Sequence, residues 1–197
     1  MKVVRKIIGS ALLYTAVGFS ANTALADMAE LDALRVGDMR KLTFHSEPVA
    51  STDATFESSE GMPIGLGDYE GQFLVLNFWA TWCAPCRKEM PSLSALQTEF
   101  GGPDFNVLTV ATGRNPPAAI ERFFDEIEVS NLPYHRDPRQ GFARSMGVLG
   151  LPVTIILDRD GQEIARLQGD ADWHSDSARA IVAALIASDP LDDAATN

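Results

Sequence analysis

Cys83 and Cys86 are the only cysteines in this 197-residue chain, and just Ala84 and Pro85 separate them. A thiolate at the first position can attack a disulfide. A thiol two residues further on can then reach the resulting mixed disulfide and resolve it. Cys83 is therefore the expected nucleophile and Cys86 the resolving group, cycling through a Cys83–Cys86 disulfide with no other cofactor. Three other uses of the pair need weighing. As a structural staple it would close a four-residue loop, and so short a loop removes little entropy from the unfolded chain. As a zinc site it lacks partners, because His45, His135 and His174 are scattered and none has H-x₃₋₅-H spacing. Two thiolates do suit Cu(I), so a copper-handling protein stays open beside thiol–disulfide exchange.

The flanking residues say how the pair is held. Phe73 to Trp79 is an almost unbroken apolar run, the pattern of a strand covered on both faces. A helix is predicted from about Ala84 to Phe100, with Pro85 in its first turn, where a missing N–H costs nothing. Gly101-Gly102-Pro103 ends it. Pro91, inside this helix, is expected to kink it. The pair thus lies where a strand hands over to a helix N-terminus, whose unpaired N–H groups and positive dipole end favour a thiolate. Trp82, one residue ahead, is expected to shield the pair and shape a partner surface.

Further along, Phe105 to Ala111 reads as a second strand, and Pro116-Pro117 opens a helix to about Glu128. A short extended piece around Tyr134 and a small helix over Gly141–Met146 follow. Val153 to Leu157 is a third strand. The Asp158-Arg159-Asp160-Gly161 turn leads into Glu163–Leu167, and Ser175 caps a last helix to Ala187. Between residues 46 and 72, short strands are expected at Ala54–Phe56 and Met62–Ile64. The order β-α-β-α, then β-β-α, predicts an α/β layer with parallel strands first and an antiparallel hairpin last.

The chain is 46% hydrophobic and 22% charged, with a net charge of −11. That is ample material for one core. An acidic balance excludes nucleic acid as a partner, since phosphate binding needs a basic footprint. Lys2, Arg5 and Lys6 precede an uncharged, mostly apolar run from Ile7 to Phe19, and Ala24-Leu25-Ala26 stands before Asp27. This is the order of a secretory signal, and the apolar run is shorter than the ~20 residues that span a bilayer. The expected organisation is a signal peptide or uncleaved anchor over 1–26, a helical extension or linker over 27–45, the domain over 46–188 and a disordered tail over 189–197. The expected location is the periplasm, free or held at the inner membrane.

The block Asn77-Phe78-Trp79-Ala80-Thr81-Trp82-Cys83-Ala84-Pro85-Cys86-Arg87-Lys88-Glu89-Met90-Pro91, with Gly150-Leu151-Pro152-Val153-Thr154 downstream, resembles the TlpA/ResA/CcmG branch of the thioredoxin superfamily, and TlpA-like proteins most. The likeness covers about residues 46–188. It implies a thioredoxin-like three-layer α/β fold, a central mixed sheet flanked by helices. It implies a protein-disulfide reductase serving cytochrome c maturation or oxidase copper-site assembly. The partners implied are exported disulfide-containing proteins, either apocytochrome c or a copper-site assembly factor, and an upstream membrane electron donor.

The resemblance also assigns residues. Pro152 takes the place of the family's cis-proline, lying against the cysteines, and Leu151 offers backbone groups to a partner. Trp82, Pro85, Leu151 and Pro152 are thus the expected substrate-binding set. Asn77 stands where thioredoxins carry a buried aspartate, and Trp79 lies beside it in the strand. Glu89 occupies the place of a glutamate found in ResA-like proteins, where it would join the catalytic pair by handling a proton; the residues alone leave it equally readable as a solvated carboxylate. Arg87 and Lys88 read as solvated charges. A dithiol oxidase that donates disulfides and a Cu(I)-handling binding protein remain the alternatives. A peroxidase is disfavoured, because no P-x-x-x-[ST]-x-x-C pattern precedes Cys83.

Overall fold

The computed structural model describes residues 29–188. The expected leader (1–26) and the expected tail (189–197) lie outside the described residues. Among the described residues eight strands form one sheet: β1 (Thr43–Val49), β2 (Phe56–Glu57), β3 (Pro63–Ile64), β4 (Phe73–Trp79), β5 (Phe105–Thr112), β6 (Tyr134–Asp137), β7 (Val153–Leu157) and β8 (Glu163–Gln168). The described chain opens on a short helical stretch at 29–33 and includes two 3-10 helices, Gly37–Lys41 and Leu66–Tyr69; four further α-helices are α1 (Ala84–Phe100), α2 (Pro117–Glu126), α3 (Gly141–Ser145) and α4 (Asp176–Ala187). None of the described helices is long and apolar enough to cross a membrane.

The strand order is β1-β8-β7-β4-β5-β6-β2-β3. β4, β5 and β6 run parallel, while β7 and β8 pair antiparallel, so the parallel-first, hairpin-last reading holds. All seven residues of β4 are buried, because helices or loops cover both faces of the sheet. On one face Val75 and Trp79 meet Met90, Leu93 and Leu96 of α1, Phe123 of α2 and Ile181 and Leu185 of α4. On the other, Leu74, Leu76 and Phe78 meet Phe142 of α3 together with Leu66 and Phe56. This is the three-layer α/β arrangement with a mixed central sheet.

Several boundaries differ from the sequence reading. The division expected at residues 45 and 46 falls inside β1, which pairs along β8 from Thr43 to Val49. β1 has no buried residue and contains Pro48, tolerable only because an edge strand leaves some donors unused. Before it, Met39 and Leu42 are fully buried, so the stretch preceding β1 belongs to the core instead of linking to it. The strand expected at Ala54–Phe56 is β2, at Phe56–Glu57, and the one expected at Met62–Ile64 is β3. The helix expected to reach Glu128 stops at Glu126, since Glu128 takes a positive φ of 55°. Ser175 does cap α4, accepting from the Ala178 N–H. In the turn before β8, Asp158 Oδ1 accepts from the N–H groups of Asp160 and Gln162, and Gly161 supplies the required φ of +71°.

Candidate functional site at the start of helix α1

β4 delivers the cysteines and α1 orients them. Cys83 is the N-cap of α1, in extended conformation, and its sulfur lies 3.3 Å from the Cys86 N–H. Pro85 falls within the first two helical positions, as its fixed φ favours, and the helix runs on through Pro91. The two cysteines form a disulfide with Cα atoms 5.3 Å apart. Cys83 retains 5% exposure and Cys86 none, so the first sulfur is at the rim and the second is beneath it.

The inward stripe of α1 comprises Cys86, Glu89, Met90, Leu93 and Leu96, the three- and four-residue spacing of one helical face. Glu89 therefore follows Cys86 by one turn on the buried side and is 2% exposed. The solvated-carboxylate reading is corrected: the side chain is in the core because the helix phase set by Cys86 and Met90 puts it there. Asn77 of β4 donates to Glu89 Oε1 at 2.8 Å and to Thr154 Oγ1 of β7 at 2.9 Å, and the Ala171 N–H donates to Glu89 Oε2 at 3.3 Å. Burial pushes the Glu89 carboxyl up to about 7; the bonds from Asn77 and Ala171 oppose that rise. The Trp173 indole opposes it too, although its Nε1 makes no well-formed hydrogen bond. A carboxyl with this pKa can hold or release a proton near neutral pH. Asn77 uses both amide hydrogens, and its buried Oδ1 has no protein partner.

Trp79 is fully buried and stacks at 4.6 Å on Phe123 and edge-on at 5.3 Å on Phe124, tying the end of β4 to α2. Trp82, by contrast, is 68% exposed. Neither Arg87 nor Lys88 is a free charge. Arg87 pairs with Glu126 at 2.9 Å and lies over the Phe123 ring. Lys88 pairs with Asp170 at 2.8 Å, and Lys41 reaches the Asp170 carbonyl.

The Leu151–Pro152 peptide is cis, as the resemblance implied, and the Pro152 carbonyl accepts from Gly169 N–H. Leu151 and Trp82 line one groove of about 300 Å³, and Pro152 lines a neighbouring depression of about 250 Å³ that also touches Leu151. Pro85 is exposed and lines neither. Of the expected substrate-binding set, the structure thus brings Trp82 and Leu151 to one groove and gives Pro152 a contiguous one.

Sequence reasoning gave Thr154 and Trp173 no contact with the Asn77–Glu89 pair and missed Asn115 altogether. Asn115 Oδ1 accepts from both the Thr81 N–H and the Thr81 hydroxyl, fixing the turn before Cys83. A lone Asn in a Gly-Pro loop carried no signal of that role. The histidines are engaged elsewhere: His45 with Glu163, His135 with Tyr69 and His174 with Glu99. Among the described residues no group of three or more His, Cys, Asp or Glu is placed to hold a metal ion.

This chain is 30% identical over 111 residues to the thiol-disulfide oxidoreductase ResA of Bacillus thuringiensis, covering 56% of this chain and 63% of that protein. The chain thus spans less than two thirds of that relative. It is 27% identical to ResA of Geobacillus kaustophilus, over 77% of this chain and 78% of the relative. A Chlorobium tepidum structure, proposed to be the thiol:disulfide interchange protein DsbE, superposes with a TM-score of 0.63 at 23% identity. It covers 72% of this chain and 98% of that one, and the likeness extends the thioredoxin-like fold across most of the described residues. The profile of the AhpC/TSA family matches residues 49–164, from the end of β1 into β8, and the chain belongs to that family.

Proposed function

We propose that the protein is a thiol:disulfide oxidoreductase that reduces disulfides in exported partner proteins. The observation that carries this reading is the Cys83–Cys86 disulfide at the N-terminus of α1, with the near-neutral carboxyl of Glu89 one turn inward from Cys86. In the reduced protein the Cys83 thiolate, favoured by the helix end, attacks one sulfur of the partner's disulfide. A mixed disulfide forms and the partner's other sulfur leaves as a thiolate. Glu89 takes the proton of the Cys86 thiol, and the Cys86 thiolate attacks Cys83 Sγ, releasing the second partner sulfur. Two electrons pass to the partner and the Cys83–Cys86 disulfide remains. A dithiol donor must then return two electrons.

The N-terminal signal pattern supports a periplasmic site of action and a membrane protein as that donor. The names of the similar proteins support the reaction class. Among exported substrates, apocytochrome c and copper-site assembly factors are the partners implied by the family resemblance. The test is to express Cys86→Ser in the native host and identify what it traps. Attack without resolution should leave covalent adducts at Cys83, released by dithiothreitol and identified by mass spectrometry. An absence of adducts with Cys86→Ser, while wild-type protein reduces insulin, would place the first attack elsewhere.

A further inference from the structure

The rim of the groove beside Cys83 carries a charge that runs against the rest of the molecule. The chain has a net charge of −11, yet the loops closing this end of the sheet hold three arginines without acidic partners. Arg114 follows β5, Arg139 follows β6 and Arg144 lies in α3. All three are exposed, and none is within 4.0 Å of a carboxylate among the described residues. The loops touch: the Gly113 N–H donates to the Asp137 carbonyl at 2.9 Å, and Arg144 donates to the Arg139 carbonyl.

Arg144 is the only charged residue lining the groove, alongside Trp82, Gln140, Leu149 and Leu151. Asp137, the last residue of β6 and the carboxylate next to these loops, is buried. Its oxygens accept from the Gly141 and Ala143 N–H groups, so it caps α3 instead of neutralising the rim. Arg87 and Lys88, on the far side of the cysteines, are already paired. Leu149 is 96% exposed and Trp82 68%, giving the groove two apolar edges beneath a cationic one.

We propose that this groove docks an extended acidic segment next to the partner's disulfide. An apolar side chain lies between Trp82 and Leu149, and flanking Asp or Glu residues face Arg114, Arg139 and Arg144. The inference deepens the oxidoreductase reading and rests on it for the identity of the reaction. Exposed ion pairs add little affinity, so the arginines act chiefly on encounter rate, and salt weakens the effect.

The test uses three disulfide substrates: two synthetic peptides identical except for Glu or Lys flanking the cystine, and uncharged 2-hydroxyethyl disulfide. Dithiothreitol returns the electrons. The Glu peptide should be reduced about 10-fold faster than the Lys peptide at low ionic strength, with the ratio falling toward unity in ~0.5 M salt. The charge-reversed protein R114E/R139E/R144E should invert the preference, an outcome misfolding cannot produce. Equal rates for the two peptides, or a Lys preference in wild-type protein, with hydroxyethyl disulfide still reduced, would overturn the docking proposal alone. If hydroxyethyl disulfide is not reduced, the oxidoreductase reading fails. Docking is then judged by binding of linear, cystine-free versions of the two peptides, followed by Trp82 fluorescence, where no Glu preference overturns it as well.

Discussion

Asn77 and Glu89 join strand β4 to helix α1 through a 2.8 Å hydrogen bond wholly inside the protein. The bond connects the position that carries an acid in thioredoxins to an acid that comes from the helix instead. In register, Asn77 lies between Thr109 of β5 and Thr154 of β7, so a short polar row crosses an otherwise apolar sheet under the start of α1. The ionisable group is thereby moved from the strand to the helix face that carries Cys86.

Glu89 should make stability fall as pH rises through neutrality. Its carboxyl is near 7 in the folded protein, against an ordinary value of 4.5, so the folded state binds more protons than the unfolded state between those values. The stabilisation is complete below about 4.5 and is lost as pH rises through about 7, a change of roughly 3 kcal/mol if the whole shift is realised. Urea unfolding at pH 5 and pH 8.5 should show this decline in wild type and a much smaller one in Glu89→Gln. The same substitution should remove the inflection near pH 7 from the exchange rate, with a loss of order 10²-fold, the lower end for general acid–base catalysis. Superimposable pH–rate profiles would make Glu89 a structural carboxyl only.

Changing Asn77 tests the other end of the bond. Asn77→Ala leaves Glu89 Oε1 without its amide donor and should cost about 1–3 kcal/mol; it should also raise the Glu89 carboxyl further, since the lost bond favours the charged form. Asn77→Asp adds a second buried acid, and the two should titrate as a coupled pair in two separated steps. Carboxyl titration followed by ¹³C NMR reads both effects. A single unshifted transition in Asn77→Asp would show that the two side chains do not interact.

The two cysteines should differ in reactivity. Cys83 is at the helix start and the rim, and Cys86 is sealed beneath it, so iodoacetamide near neutral pH should label Cys83 first in the reduced protein. Peptide mapping after short exposure gives the ratio. Earlier labelling of Cys86 would reverse the roles assigned to the pair.

Electron flow should be in the reducing direction. Ala84 and Pro85 have no side-chain donor for a thiolate, and the charges of Arg87 and Lys88 are largely offset by Glu126 and Asp170. Beyond the helix end itself, little is left to stabilise the Cys83 thiolate in the manner of a strong oxidant. Equilibration with a glutathione buffer, read by Trp79 and Trp82 fluorescence, should give a potential nearer thioredoxin's about −270 mV than DsbA's about −120 mV. A value at the oxidising end would favour the oxidase alternative instead.

The sheet centre was legible because β4, β5 and β7 are mostly apolar runs, a pattern that survives any detail of packing. The redox motif was legible because chemistry fixes both its residue types and its spacing. β1 was not: its residues are exposed to intermediate, so no period-two signal marks it, and only pairing with β8 makes it a strand. Glu89 was ambiguous for a different reason. A glutamate three residues after a cysteine can face either way, and its burial follows from Met90 and Leu93 defining the inward face. Asn115 and Trp173 act on the site through the folded contacts of distant loops, which local sequence does not encode.

The Asp170 bridge has a consequence for how the molecule is held. Lys41, just before β1, and Lys88, in the first turns of α1, converge on Asp170, while the Val36 N–H donates to Ser177 at the head of α4. β1 runs antiparallel to β8, and β8 points the same way as β4, so the polypeptide enters β1 at the redox end of the sheet. Position 29 is five residues from Leu34, whose carbonyl accepts from Ser177, a helical rise of roughly 8 Å. Upstream chain is therefore attached on the same side as the dithiol. Any tether on that upstream chain would therefore pull on the end of the sheet that carries Cys83, and release of the tether would leave that face open from every direction.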